Sequence, residues 1–208
     1  MNKNILFLFI IFSSIQLSHA QYDSWSKAEV HFIDGTVKAG EAKLPIGGTG
    51  GPFYANDKLR FRIADRKPVK LIEAKKIEKV ILKVSYTKKV KGKRIKKNRE
   101  ATIITINKNK KKNKKGFAEL IVDGKVKLLK RKVNYNSNNR ISVITESLLV
   151  RNEEVPIPFN YAELKSFRKR AMEFFSDCSS LVSKIENKVF KREELIAIVN
   201  YYNDNCAK

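Results

Sequence analysis

The sequence predicts an α+β protein: an antiparallel β-domain, barrel- or sandwich-like with about six to eight strands, followed by a short three-helix segment clipped by one disulfide. Three observations carry this expectation. Asp-Gly pairs sit between alternating apolar runs. The apolar period then changes from two to 3.6 residues after Pro156 and Pro158. Finally, the two cysteines, Cys178 and Cys206, fall at opposite ends of the last two helical patterns.

The first turn is read at Asp34-Gly35, between Val30-Phe32 and Val37. A two-residue Asp-Gly hairpin needs φ > 0 at both positions, which this pair tolerates. The same device recurs at Asp123-Gly124, within Leu120 to Val126, and both copies read D-G-x-V-K. So short a match fits independent use of a common hairpin better than an internal duplication. Further strands are expected at Leu59–Ile63, Val69–Ile72, Ile77–Tyr86, Ala101–Asn107, Lys125–Val133 and Ile141–Val150. Leu59, Phe61 and Ile63 alternate with Arg60 and Arg62, as on a half-exposed strand. Ile72–Leu82 has an alternative reading as a short helix. No βαβ spacing is present, which argues against a parallel dinucleotide-binding sheet.

The two prolines mark a boundary at Val155–Asn160. Beyond it, Leu164, Phe167, Ala171, Phe174 and Phe175 share one helix face. Leu181, Ile185 and Val189 share a second, and Leu195, Ile198, Val199 and Tyr202 a third. Cys178 would open the second helix and Cys206 close the third, so in an antiparallel pair the two ends meet. Closing that loop is expected to stabilise by about 3.5 kcal/mol in the chain-entropy model. Three short helices make a thin core, so they should pack on the sheet or lean on the bridge.

Residues 1–20 follow the plan of a secretory signal: Lys3, an apolar run from Ile5 to Ile15, and Ser18-His19-Ala20 before a cut ahead of Gln21. The run is shorter than the about 20 residues a spanning helix needs. No later run is long enough to span, so the exported chain is expected to have no transmembrane span. No cysteine follows the cut, which argues against a lipid anchor there. The domain organisation is therefore 1–20 signal, 21–155 β-domain and 156–208 helical segment, in a periplasmic or secreted protein. Export also explains the cysteines as an oxidised pair.

These residues together resemble a family of secreted proteins of uncharacterised function common in Bacteroidetes. The likeness is carried by the early Asp-Gly hairpin, the tract Phe167 to Cys178 (FRKRAMEFFSDC), Leu181, Ile185 and the ending Ile198 to Cys206 (IVNYYNDNC). It covers most of the chain after the signal, with specific spacing in the C-terminal third. Such proteins often have proline just after the first cysteine, where Ser179 stands here. The resemblance implies an exported β-domain with a disulfide-linked helical tail, and no activity.

The chain has 208 residues and a formal charge of +23, from 44 basic and 21 acidic residues. Removing residues 1–20 would leave +22. This excludes a polytopic membrane protein and argues against a large multidomain enzyme or a fully disordered chain. The charge is concentrated. Residues 88–115 hold fourteen basic side chains against one acid, Glu100. They fall in two pieces: Lys88, Lys89, Lys91, Lys93, Arg94, Lys96, Lys97 and Arg99, then Lys108, Lys110, Lys111, Lys112, Lys114 and Lys115. Both pieces are expected to be loops or frayed strand ends.

One reading of this tract is a polyanion contact, with lipopolysaccharide, an anionic cell-wall polymer or extracellular DNA as partner. Six lysines at 108–115 would give a log–log salt slope of about −5 on B-DNA if all engaged. No aromatic lies inside the tract, only Tyr86 and Phe117 at its flanks, so base stacking is unsupported. Lysine outnumbers arginine three to one in the chain, so sequence-specific base reading is not expected either. The other reading is compositional: Lys, Asn and Ile are abundant together, as AT-rich codon use produces. Surface lysines also solubilise, and they guard sheet edges.

Little points to catalysis. With His19 in the signal, His31 stands alone between Val30 and Phe32, on the outward face of a strand. No G-x-S-x-G and no histidine or cysteine cluster accompanies it, so no metal and no cofactor is expected. Gly47-Gly48-Thr49-Gly50-Gly51-Pro52 lacks the Gly-Lys-Ser/Thr end of a phosphate loop and reads as a connection between strands. Glu153-Glu154 reads as a turn, and Glu193-Glu194 as acids suited to a helix start. Tyr201 and Tyr202 read as core and bridge-shielding residues, with a binding ledge as the alternative. The expectation is thus a non-enzymatic envelope or secreted protein. A small carboxylate-dependent hydrolase, or a structural partner of an outer-membrane or secretion complex, are the alternatives.

Overall fold

The computed structural model describes residues 24–45, 57–90, 92–137, 140–159 and 166–207. Ten strands form one antiparallel sheet: β1 (Ser26–Phe32), β2 (Val37–Lys43), β3 (Lys58–Arg62), β4 (Lys70–Glu73), β5 (Ile77–Val90), β6 (Lys93–Asn107), β7 (Lys115–Val122), β8 (Val126–Ser137), β9 (Arg140–Arg151) and β10 (Ile157–Pro158). Their order is β10-β9-β8-β7-β6-β5-β1-β2-β3-β4. Helices α1 (Phe167–Phe174), α2 (Ser179–Glu186) and α3 (Leu195–Asn205) follow, with a 3-10 turn at Arg192–Glu194. The signal segment and the glycine cluster lie outside the described residues.

The predicted class holds, but the sheet has more strands than the six to eight expected and is open, with β10 and β4 as its free edges. It is not a closed barrel. Composition hid one strand, β10, and the first half of another, β6. β6 begins at Lys93 rather than Ala101, because β5 extends to Val90 and pairs residue for residue with the basic segment. The prolines do not break the sheet. Ile157 and Pro158 add a short edge strand to β9, where a missing ladder donor is tolerated. Ile72–Leu82 is not a helix: Ala74–Lys76 form one 3-10 turn and β5 starts at Ile77.

The first Asp-Gly turn also differs from expectation. Gly35 has φ +83° and its N–H donates to Phe32 O at 3.0 Å, while Asp34 is not at positive φ. Phe32 N–H returns to Thr36 O at 2.9 Å. This is a three-residue turn with a glycine bulge, so one position rather than two requires φ > 0. Asp34 accepts from Thr36 N and Oγ1, and those bonds hold its carboxyl below the usual range.

Strand alternation builds three apolar clusters. Val30, Leu59, Phe61, Val80, Leu82, Val84 and Ile103 form the first, on the inner face of the β1–β6 half. Val126, Leu128 and Leu149 meet the helices in the second. Leu129, Leu148 and Val150, with Ile106 and Ala118, form the third. Since Leu128 faces Leu149 and Leu129 faces Leu148, β8 and β9 are buried on both faces there. That is why they read as continuous apolar runs instead of alternating ones.

The helices use the faces their periodicity predicts. Ala171, Phe175, Leu181, Ile185, Leu195, Ile198, Val199 and Tyr202 are buried in the second cluster. Val189 is the exception, 58% exposed, because α2 ends at Glu186. Leu164 lies outside the described residues. Cys178 caps the start of α2, Cys206 caps the end of α3, and the two are bonded.

A second tie joins α3 to the sheet. Asn203 Oδ1 accepts from Val126 N at 3.0 Å, and its Nδ2 donates to Val126 O at 2.9 Å and Asp123 O at 3.3 Å. Gly124, at φ +146°, lies so close that a Cβ there would stand 2.4 Å from Asn203 Nδ2. Gly124→Ala should therefore both strain the turn and displace Asn203, lowering stability by about 2 kcal/mol. A urea midpoint equal to that of the unaltered protein would overturn this.

Candidate functional site

The basic tract does not form one patch. Its first piece lies on the paired ribbon Val84–Val90 and Lys93–Asn98, which extends past the segment where β1 pairs with β5 and β7 with β6. Its second piece is the β6–β7 connection at the other end of β6. Lys93 and Lys108 are separated by fifteen residues of strand, about 50 Å of extended chain, and the near end of the first piece, Arg99, lies about 30 Å from Lys108.

On the ribbon, register decides which charges share a face. Lys93 and Lys97 lie on the face that carries Val80, Leu82 and Val84 further down, while Arg94 and Lys96 lie on the other. All four are exposed. Lys88 and Lys89 belong to β5 opposite Ile95 and Arg94, and Lys91 lies outside the described residues. Arg99 is already engaged, since it pairs with the buried Glu119 of β7.

The second piece is partly structural. Lys108 is 3% exposed and its Nζ lies 2.9 Å from Asp57 Oδ1. Lys115 donates to Asn107 Oδ1, and Asn107 Nδ2 donates to Glu153 O at 2.7 Å. Lys110, Lys111 and Lys112 are exposed and Lys114 is half-buried. Neither Lys108 nor Lys115 can reach an external polymer while so engaged, which leaves four cations in this loop.

Sequence reasoning missed a second basic site. Where the ends of β1 and β2 meet β3 and β4, the rolled sheet opens into a cleft of about 870 Å³. Phe61 and Ile72 belong to the inner face, and Phe32 packs beside them. The same alternation carries lysines to the rim: Lys38 is opposite the buried Val30, and Lys70 is opposite Phe61. Lys38 Nζ stands 5.4 Å from the Phe32 ring centroid. Lys58, Lys67 and Lys76 also line the cleft. The signal was faint, because these five lysines are spread over the chain from 38 to 76 and no two of them are adjacent in sequence.

A smaller cleft of about 540 Å³ is lined by Glu29, Glu41, Asp65 and Glu100 together with Lys27 and Lys83. Glu41 and Asp65 both point at Arg62, whose Nη2 is 2.6 and 2.8 Å from them. His31 Nε2 approaches Glu29 Oε1 to 2.8 Å without the alignment of a hydrogen bond. Glu29, Glu41 and Asp65 are thus arranged against a cation or an imidazole rather than as a facing acid–base pair. Glu153 forms a turn with Asn152, and Glu194 Oε2 accepts from Lys191 N at 2.8 Å at the entry to α3. Among the described residues, no group of three or more His, Cys, Asp or Glu side chains could hold a metal ion.

The tyrosines do structural work of different kinds. Tyr202 is fully buried and donates to Asp177 Oδ2 at 2.6 Å. Arg151, the last residue of β9, grips both Asp177 oxygens at 2.7 and 3.1 Å and also donates to Phe174 O at 2.9 Å. The Arg151 guanidinium, helped by the Tyr202 hydroxyl, holds the Asp177 carboxyl below its ordinary range. Burial, and then its bond to Asp177, push the Tyr202 phenol up. Tyr201 packs edge-on against Phe190, with Lys184 over its ring.

Among the described residues no helix is long and apolar enough to cross a membrane. Compared with family models, with curated proteins and with solved structures, the chain shows no match.

Proposed function

We propose that the protein is a non-enzymatic exported protein that contacts anionic envelope polymers through the β5–β6 ribbon, as the resemblance to secreted Bacteroidetes proteins would fit. The observation that carries this reading is the placement of Lys93, Arg94, Lys96 and Lys97. They alternate onto both faces of a two-stranded ribbon that continues where the neighbouring ladders stop, and all four are exposed. Glu100 is the only acid between Val84 and Glu100, at the ribbon's base. Such a ribbon can lie along a phosphate-rich chain and neutralise it from either face. Tyr86, opposite Lys97, is the one aromatic residue of the ribbon, so its lysine-rich chemistry supports contact with backbone phosphates over a run of stacked bases.

The test is binding to lipopolysaccharide and to duplex DNA across a salt series. Four engaged cations give a log–log slope of about −3.6 on DNA. Replacing Lys93, Arg94, Lys96 and Lys97 with glutamine should flatten that slope to near zero. Neutralising Lys110, Lys111 and Lys112 instead should change it by less than half as much, since they stand at the far end of β6. Equal slopes for the unaltered protein and the ribbon variant would overturn the proposal and return these lysines to a solubilising role.

A further inference from the structure

The cleft between β1–β2 and β3–β4 has two properties that a solubilising surface does not need together. Its floor is apolar: Phe61 is 3% exposed, and Phe32 and Ile72 pack against the core from partly buried positions. Its lip is apolar as well, since Ile63 and Leu71 line it and are 71% and 62% exposed. Ile33, Val37 and Val69, also exposed, are the sequence neighbours of cleft residues. Ile33, Ile63, Val69 and Leu71 are thus four of the ten large apolar side chains exposed among the described residues, while Val37, in register with His31, lies on the other face of β2. Solvent exposure of grouped apolar side chains is costly unless something covers them.

The second property is charge. Glu73 is the one acid among the lining residues, and Lys75 Nζ, outside the cleft, lies 2.9 Å from its carboxylate. The lysines of the rim thus face the opening with their acid neighbour already neutralised. Lys38 and Lys70 belong to the core-bearing face, in register with Val30 and Phe61, and Lys38 Nζ stands over the Phe32 ring. An apolar floor below a ring of cations fits one ligand chemistry: an alkyl chain ending in an anion. The volume, about 870 Å³, falls within the range of small-molecule sites.

We infer that this cleft binds a single anionic amphiphile, a long acyl or alkyl chain with a phosphate or carboxylate head, the chain against Phe32, Phe61 and Ile72 and the head between Lys38 and Lys70. The inference is independent of the ribbon, which lies beyond the opposite part of β5.

Dodecyl phosphate, kept below its micelle concentration, is the probe, and calorimetric titration of the full chain is the measurement. Saturable binding is expected, with dodecylphosphocholine at least tenfold weaker because its head is zwitterionic. Lys38→Glu with Lys70→Glu should weaken dodecyl phosphate at least tenfold. Ile63→Ser, at a cleft-lining position that is 71% exposed, should weaken it several-fold. Replacing the ribbon residues Lys93, Arg94, Lys96 and Lys97 should leave it unchanged, so the two proposals fail separately. The inference is overturned by an absence of saturable binding, by equal affinity in the cleft variants, or by full competition from inorganic phosphate alone. Binding to anionic vesicles but not to the monomeric probe would overturn it in favour of a membrane-surface contact.

Discussion

Replacing Asp57 with alanine is expected to lower stability by about 3 kcal/mol or more. Asp57 stands just before β3 and makes four bonds that tie it to β7, to the β6–β7 connection and to the 3-10 turn before β5. Its N–H donates to Lys115 O at 3.2 Å, and its carbonyl accepts from Ala74 N at 3.0 Å. Its carboxylate accepts from Lys108 Nζ at 2.9 Å and from Phe117 N at 3.1 Å. The last two disappear in the variant. Lys108, 4% exposed at its side chain, would then lose the carboxylate that stands 2.9 Å from its Nζ. Gly116 shows how tightly that site is built, because a Cβ there would stand 2.6 Å from both Asp57 Oδ2 and Lys108 Cδ. For a chain of this size the loss corresponds to a fall in Tm of roughly 6–12 °C. Thermal unfolding measures it directly. Adding Lys108→Met to Asp57→Ala should recover part of the loss, since the pair is then replaced by apolar volume. An unchanged Tm in the single variant would mean that the seam contributes nothing.

That seam also marks where sequence reading stops. Asp57 and Lys108 are 51 residues apart, and nothing in either local context announces the other. The glycine at 116 reads as an ordinary strand glycine until the pair beside it is seen. By contrast, the features that rest on local physics were legible. The Asp-Gly turns, the helix faces of Ala171, Leu181 and Ile198, and the meeting of Cys178 with Cys206 each follow from spacing within one or two elements. The strand Lys93–Glu100 was missed because its side chains are mostly lysine and arginine, with Ile95 its one large apolar residue. Its conformation is imposed by pairing with Val84–Val90. The trace that could have found it is Gly92, at φ +79°, standing between Val90 and Ile95 as a turn residue stands between two strands.

The candidate sites divide along the same line. A contiguous run of lysines draws the eye, yet β6 carries its two halves to opposite ends of a strand, and Lys108 is turned inward. The cleft lysines are scattered in sequence and gathered by register, Lys38 by its place opposite Val30 and Lys70 by its place opposite Phe61. Charge density along a chain measures what ionic composition a region has. Which charges act together is decided by the pairing of strands: each lysine sits in a local hairpin, but the two hairpins are joined through β2 and β3, where Ala42 pairs with Phe61, and that pairing leaves little local trace.

Reducing Cys178–Cys206 is expected to cost about 3.5 kcal/mol, because the bond closes a loop of 28 residues in the unfolded chain. The loss should be confined in space. The bridge joins the start of α2 to the end of α3, and the neighbouring Asp177–Tyr202 bond and Arg151 clamp run beside it between the same elements and β9. Those contacts, with Phe175, Leu181, Ile198 and Tyr202 buried beneath, hold the helices on β8 and β9 without the covalent link. Reduced protein, or Cys178→Ala with Cys206→Ala, should therefore remain folded with a lowered denaturant midpoint and a slope equal to or slightly above that of the oxidised protein, since the unfolded chain is released from its loop. Amide exchange should quicken from Ser179 to Asn205 and stay slow in β1, β5 and the first half of the sheet, whose cluster around Val30 and Val80 shares none of these residues. Exchange that quickens equally in β1 and β5 would show instead that the helices and the rolled half of the sheet unfold as one unit, and an unchanged midpoint would show that the clamp alone carries the helical segment.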